Sequence, residues 1–187
     1  SCWSLYQNKV ITSGSEGGLV HFRDPECTAL ARQLRCLGFT PAHDYDHLPR
    51  GHNYRLADPL ADSARQSLAH FPANVARRRR AESWYDCYCP EIWKQPPRQS
   101  PWVYDLHIPG LRREKQGQIV GALRDRGIEA RRGFLPMSVQ REYRHLPRRP
   151  GAMSQRLAEE VFYLPLQPGL VTEESAKRAF EIIHALL

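Results

Sequence analysis

Lys9 is the residue of this chain best suited to covalent chemistry. It stands in "SLYQNKVITSGSEGGLV", residues 4 to 20, behind an aromatic residue and ahead of a glycine-rich turn. A lysine amine attacks a carbonyl to form a Schiff base only when it is neutral. Partial burial or nearby positive charge lowers its pKa and supplies that form. Gly14, Gly17 and Gly18 would let a flat cofactor come close to the backbone. Ser4, Thr12 and Ser13 offer hydroxyls to a phosphate. Taken alone, a lysine before such a turn is more often an ordinary surface lysine.

"GHNYR", residues 51 to 55, sets an amide and a guanidinium beside an aromatic ring, just ahead of a predicted helix. A helix start attracts anions. The plainer alternative is an Asx turn in which Asn53 bonds its own backbone. His43 and His47 lie four apart, but the loop offers no third ligand, so no metal is expected. Cys87 and Cys89 are spaced too closely for a zinc knuckle and read as helix-end thiols. Arg77 to Arg80 could grip phosphates, yet Glu82 and Asp86 nearby favour a solvated helix face. Nucleic acid is therefore not an expected partner.

Elements must hold these residues in place. At 187 residues and 41% hydrophobic content, the chain is long and apolar enough for one domain or two small ones. Its net charge of +7 suits phosphorylated partners among other polyanions. No apolar run approaches a membrane span and nothing resembles a signal peptide. Five scattered cysteines suit reduced thiols, so the expected compartment is the cytoplasm.

Gly18 starts a short strand, alternating through Val20 and Phe22. "DPECTALARQLRCLG" reads as a helix capped by Asp24, opened by Pro25 and closed at Gly38, with Leu30, Leu34 and Leu37 on one face. Asp58-Pro59 opens a second helix with Leu60, Ala64, Leu68 and Phe71 in one stripe, broken by Pro72. Residues 73 to 88 make a third, basic helix. The prolines between Cys89 and Pro101 mark a boundary, dividing the chain into 1–90 and 91–187. The second region reads as strand "WVYDLHI", a helix stopped by Gly127, another strand, then helix and strand in "MSQRLAEEVFYLPL". A final amphipathic helix is capped by Thr172 and buries Ala176, Phe180, Ile183 and Leu187. The fold class is α/β passing into α+β.

"CWSLYQNKVITSGSEGGLV", "LARQLRCLG", "GHNYRLAD" and "RRRRAESWYD" follow one another at set distances. In this the chain resembles the DegT/DnrJ/EryC1/StrS family of PLP-dependent sugar aminotransferases. That family has Ser-Phe-x-x-x-Lys, then Thr-x-Gly-Glu-Gly-Gly, then Gly-x-Asn-x-Arg. "VYDLHI", "RDRGIEARRGFLPMSVQREY" and "LAEEVFYLPLQPGLVTEE" are similar to its small-domain strand, its Gly-Ile-x-x-Arg to Tyr run and its Leu-Pro-x-x-Pro-x-Leu-Thr close. The resemblance covers essentially the whole chain.

It implies the C-terminal portion of a type I aminotransferase fold: the end of the large cofactor-binding domain in 1–90 and the small domain in 91–187. It implies pyridoxal 5'-phosphate (PLP) as cofactor, glutamate as amino donor, and a keto-sugar nucleotide or other keto-sugar as acceptor. By the same resemblance Lys9 is the Schiff-base lysine and proton shuttle, and Ser4 bonds the cofactor phosphate. Asn53 reaches that phosphate from a neighbouring subunit, and Arg55 and Arg131 lie near cofactor or substrate. A homodimer, or a complementing N-terminal half, is implied as partner.

Ser15 interrupts the Gly-Glu-Gly-Gly pattern, Pro59 and Asp62 interrupt an apolar helix start, and Ser138 replaces a frequent His. Family members also have a long stretch ahead of the lysine that supplies a phosphate-gripping helix start, a stacking aromatic and an aspartate for the pyridine nitrogen. The chain alone is therefore expected to be inactive. The competing readings are a non-catalytic truncated paralogue or interaction partner, and an aminotransferase for a keto-cyclitol.

Overall fold

The structure, a computed structural model, describes residues 1–40, 42, 45–47, 49–143, 145–147 and 153–187. It divides into two compact units, Ser1–Pro72 and Ala73–Leu187. The proline-rich segment at 90 suggested a later boundary. The helix before that segment buries Ala81 and Tyr85 in the same cluster as the residues that follow, which draws it into the second unit.

In the first unit, β1 (Cys2–Ser4) pairs antiparallel with β2 (Gly18–Val20), in the register Cys2 with Val20 and Ser4 with Gly18. Sequence pattern marked β2 but not β1, which has too few residues to show alternation. Both strands are exposed on both faces, so the alternation expected through Val20 and Phe22 buries neither side chain.

Helix α1 (Pro25–Arg35) starts where expected. Asp24 Oδ1 accepts the Glu26 amide at 2.8 Å, and proline opens the first turn. The helix ends earlier than its apolar pattern suggested. Leu37 and Gly38 take φ +66° and +76°, so Leu37 belongs to the exit turn rather than to the helix face. None of the side chains of α1 is buried.

Helix α2 (Asp58–Ala69) tolerates Pro59 in its first turn, where its missing amide would have no helical partner. Asp62 accepts hydrogen bonds from Arg65 and Gln66. Neither departure interrupts the helix. Ala64 is the residue of α2 that is buried, and Leu68 of the expected stripe is exposed. The second helix ends at Ala69, just ahead of Pro72, and Phe71 of its expected stripe instead opens α3 (Phe71–Asp86), with Pro72 in the first turn.

The second unit is a three-stranded antiparallel sheet with helices. β5 (Val161–Pro165) is central, flanked by β3 (Val103–His107) and β4 (Arg131–Arg132). Tyr104 faces Leu164 and Leu106 faces Phe162 across β3 and β5, and these four side chains are buried. Period-two burial in both strands places one face in the core.

Helix α4 (Arg113–Arg124) buries Gln116, Ile119, Val120 and Leu123, the spacing of one helical face. Gly127 follows it with φ +77°. Helix α5 (Met153–Glu160) leads into β5, and α6 (Glu173–Leu186) closes the chain. Thr172 and Ser175 exchange backbone and side-chain bonds of 3.1 and 2.9 Å, a full capping box. Ala176, Ala179, Phe180 and Ile183 are its buried face; Leu187 lies past the helix end and is exposed.

The arginine run is not a plain solvated face. Arg78 is 3% exposed and donates to the Trp102 carbonyl at 2.7 Å. Arg79 donates to the Arg98 and Gln99 carbonyls and pairs with Glu82. Arg80 lies 5.3 Å over the Trp84 ring. Much of this charge therefore ties α3 to the proline-rich segment and to its own next turn. No helix among the described residues is long and apolar enough to cross a membrane.

Candidate active site

The segment carrying Lys9 is a loop closed at its neck. Leu5 donates its amide to the Gly17 carbonyl at 2.9 Å, and the Ser13 amide donates to the Leu5 carbonyl at 2.9 Å. The Leu5 side chain is buried beneath this crossing. Gly14 turns the chain back with φ +81°, a conformation costly for a residue with a side chain. Inside the loop the Lys9 amide donates to the Tyr6 carbonyl at 2.9 Å, a tight turn with Gln7 and Asn8 at its tip. The Tyr6 amide donates to Ser4 Oγ at 3.3 Å. Ser4 and Lys9 are thus linked through the two ends of one residue.

Burial lowers the Lys9 amine below its ordinary pKa, and its side chain is half-buried. This is the direction that favours a nucleophilic amine. Thr12 and Ser13, expected to face a phosphate, spend their hydroxyls on the loop. Thr12 Oγ1 accepts the Gly14 amide at 2.9 Å and reaches the Leu5 carbonyl at 3.2 Å. Ser13 is 1% exposed and donates to the Glu16 carbonyl at 2.8 Å. Ser15, the residue that breaks the expected pattern, donates its amide to Ser13 Oγ at 3.2 Å.

Asn53 and Arg55 are positioned by a close backbone approach. A side chain on Gly51 would sit 2.1 Å from the Gly38 nitrogen, so the first position of "GHNYR" has room only for glycine. The contact aligns a short ladder. His52 donates to Leu34 at 2.7 Å, Leu37 donates to His52 at 3.0 Å, and Tyr54 donates to Arg35 at 2.9 Å. Asn53 bridges to Cys36 within it, so the segment is strand-like rather than an Asx turn. His52 and Tyr54 stack at 4.9 Å, and Arg55 Nε donates to Asn53 Oδ1 at 3.0 Å. Asn53 and Arg55 are both exposed.

Leu56 connects the two motifs. Its Cδ1 lies 3.2 Å from where a Gly17 side chain would begin, at the neck of the lysine loop. Ser67 of α2 accepts the Thr12 amide at 3.0 Å from another side. Arg131 belongs to the second unit, where it pairs with Glu129 and remains exposed. His47 bonds the Leu37 carbonyl at 2.7 Å, and His43 lies outside the described residues. Cys87 is exposed and Cys89 buried; all five thiols are free.

Residues 1–184 match the DegT/DnrJ/EryC1/StrS aminotransferase family. The chain belongs to that family. Among curated proteins it is similar to a dTDP-3-amino-3,4,6-trideoxy-alpha-D-glucose transaminase of Micromonospora megalomicea subsp. nigra. The two are 28% identical over 130 residues, 67% of this chain and 34% of that protein. Among solved structures it is similar to the aminotransferase TlmJ of Streptoalloteichus hindustanus, with a TM-score of 0.79 and 24% identity over 99% of this chain and 51% of that one. A sugar aminotransferase of Streptococcus pneumoniae in its PLP form gives a TM-score of 0.81 and 19% identity over 100% of this chain and 52% of that one. That enzyme is also solved in a pyridoxamine phosphate (PMP) form.

The chain therefore spans about half the length of these structures and a third of the curated relative. Its fold is the C-terminal portion of a PLP-dependent aminotransferase, and PLP is the cofactor of the family. The first unit fits that cofactor on a point of its own geometry: its one lysine is half-buried, with its amine drawn toward the neutral form.

Proposed function

We propose that this chain supplies the cofactor-linking lysine of a sugar aminotransferase that moves an amino group from glutamate to a keto-sugar carried on a nucleotide. PLP, when bound, supplies the electron sink for that transfer. Lys9 Nζ would hold the cofactor and, once the donor's amine had displaced it, would carry the proton taken from Cα of that donor. Ser4 Oγ, oriented by the Tyr6 amide, takes one side of the cofactor phosphate. Asn53, held toward solvent with Arg55, serves the phosphate of a neighbouring subunit. Arg55 is the first unit's candidate for contact with the substrate, and Arg131 is the second unit's.

The observation that carries this reading is the half-buried lysine on a hydrogen-bonded loop, in a chain of this family. We propose further that the chain works in the cytoplasm with a second subunit or a complementing half, and is inactive alone. Trp3, Leu19 and Val20, exposed on the first sheet, are apolar surface suited to such a partner.

The test uses limiting PLP at neutral pH, reduction with borohydride, and mapping of pyridoxyl adducts. Lys9 should be labelled ahead of Lys94, Lys115 and Lys177, because burial lowers its pKa while its bond to Glu91 raises that of Lys94. Equal labelling of all four lysines would overturn the assignment of Lys9. Net production of 2-oxoglutarate by the chain alone would overturn the proposed dependence on a partner.

A further inference from the structure

We infer that Ser13 is a positioning residue for Lys9, its hydroxyl acting as the clamp at the neck of the lysine loop. This rests on the reading of Lys9 as the reactive amine. The Ser13 amide and the Leu5 carbonyl close the loop, and the seven residues from Tyr6 to Thr12 lie between them. Lys9 is the middle one. A shift at the neck is therefore felt most at its tip.

Three groups converge on Ser13 Oγ. It donates to the Glu16 carbonyl at 2.8 Å, lies 3.2 Å from the Leu5 carbonyl, and accepts the Ser15 amide at 3.2 Å. These reach both limbs of the neck: Leu5 leads into the loop, and Ser15 and Glu16 lead out of it. Ser13 itself is 1% exposed, and its contact with the Leu5 carbonyl is buried. Removing the hydroxyl takes a partner from that carbonyl and also from the part-buried Glu16 carbonyl and Ser15 amide, so the neck loses the one group that touches both limbs. Two further restraints act beside it: Thr12 Oγ1 lies 3.2 Å from the Leu5 carbonyl, and the Thr12 amide donates to Ser67 of α2 at 3.0 Å.

The clamp also explains how the chain carries Ser15. The extra residue places one more amide at the neck, and Ser13 Oγ receives it. A residue without a hydroxyl at position 13 would give that amide no partner within the neck.

The test compares the chain with its Ser13→Ala and Ser13→Thr variants by two measurements. The first is the pH midpoint of Lys9 acylation, mapped by mass spectrometry. The second is amide exchange along residues 1–72. In Ser13→Ala the midpoint should rise toward that of an ordinary lysine, as the amine loses its partial burial. Exchange across Leu5–Gly17 should quicken roughly tenfold, while Trp3 and Leu19 in the paired strands keep their protection. Ser13→Thr should restore both.

The inference is overturned by an unchanged midpoint in Ser13→Ala. It is equally overturned by a loss of protection across the whole first unit, or by failure of threonine to restore the midpoint. The wider reading of Lys9 fails separately, if Lys9→Ala takes up and retains pyridoxyl label as the parent chain does. That outcome leaves the midpoint result standing.

Discussion

The two units are held together by different means. Ala73–Leu187 is built around one apolar cluster that joins α3, β3, α4, β5 and α6, with Leu106, Ile119, Leu123, Phe162 and Ile183 out of contact with water. In Ser1–Pro72, Leu5 and Ala64 are the buried apolar side chains among the described residues. Order there comes from backbone crossings: Leu5 with Ser13 and Gly17, and Leu34, Arg35 and Leu37 with His52 and Tyr54. Lys9, Ser4, Asn53 and Arg55 all belong to this hydrogen-bonded unit. The residues proposed to do chemistry therefore lie where position depends on a few directional bonds. The well-packed unit contributes Arg131.

The contrast breaks first, if it is wrong, in the cores. Phe162→Ala empties the centre of β5 and should cost the second unit about 3–5 kcal/mol, read as a lower urea midpoint. Leu30→Ala removes a comparable apolar side chain from α1 and should cost less than about 0.5 kcal/mol, because that side chain is half in water already. Equal losses would mean that the first unit has a core of its own. A backbone change should reach the first unit where loss of the Leu30 side chain does not. Gly51→Ala drives a methyl into the Gly38 nitrogen and the Leu37 carbonyl carbon, at 2.1 and 2.4 Å. It should cost about 1–3 kcal/mol, read as lost exchange protection at Leu37, His52 and Tyr54.

The same contrast decides what could be read in the sequence. Helix ends were legible because their causes are local: Asp24-Pro25, Gly127 and the Thr172 cap all act within a few residues. Lys9 and Asn53 stand out in the sequence by their neighbours, a glycine-rich turn and a Gly-x-Asn-x-Arg segment. The remainder depends on partners far along the chain. Arg78 looks like surface charge until Trp102, 24 residues on, offers its carbonyl. Ser13 looks like a phosphate ligand until Leu5 and Glu16 close around it. Arg131 reads as an unpaired guanidinium until Glu129, two residues before it, accepts from it, and it stays exposed in that pair. Leu30 and Leu68 show helical periodicity and are exposed, since periodicity marks a face but not what covers it.

Among the ion pairs of the second unit, the one centred on Glu160 should give it a pH dependence of its own. Glu160 at the end of α5 accepts from His107 at 2.7 Å, from the Gly110 amide at 2.9 Å and from Arg156 at 3.0 Å. These bonds, His107 foremost, lower its pKa from 4.5 to about 2. A lowered folded-state pKa gives stability that is full above the unfolded value and is lost as pH falls toward the folded one. Stability of the second unit should thus decline between about pH 4.5 and 2. Glu160→Gln should flatten that decline while lowering stability at neutral pH, as followed by denaturation at each pH.

The smallest effects come from the two capped helices, and they separate the units most finely. Thr172 caps a helix whose face buries Ala176, Ala179, Phe180 and Ile183. Loss of its hydroxyl in Thr172→Ala unsettles packed side chains and should cost about 0.5–2 kcal/mol in the unfolding of the second unit. Asp24 makes the same kind of bond, at 2.8 Å to Glu26, on a helix with no buried side chain. Its first turn can open without disturbing a core. Asp24→Ala should therefore quicken exchange at Glu26, Cys27 and Thr28 and leave the denaturation midpoint nearly unmoved. A midpoint shift as large as that of Thr172→Ala would show α1 to be packed, and would remove the distinction between a unit ordered by its core and one ordered by its hydrogen bonds.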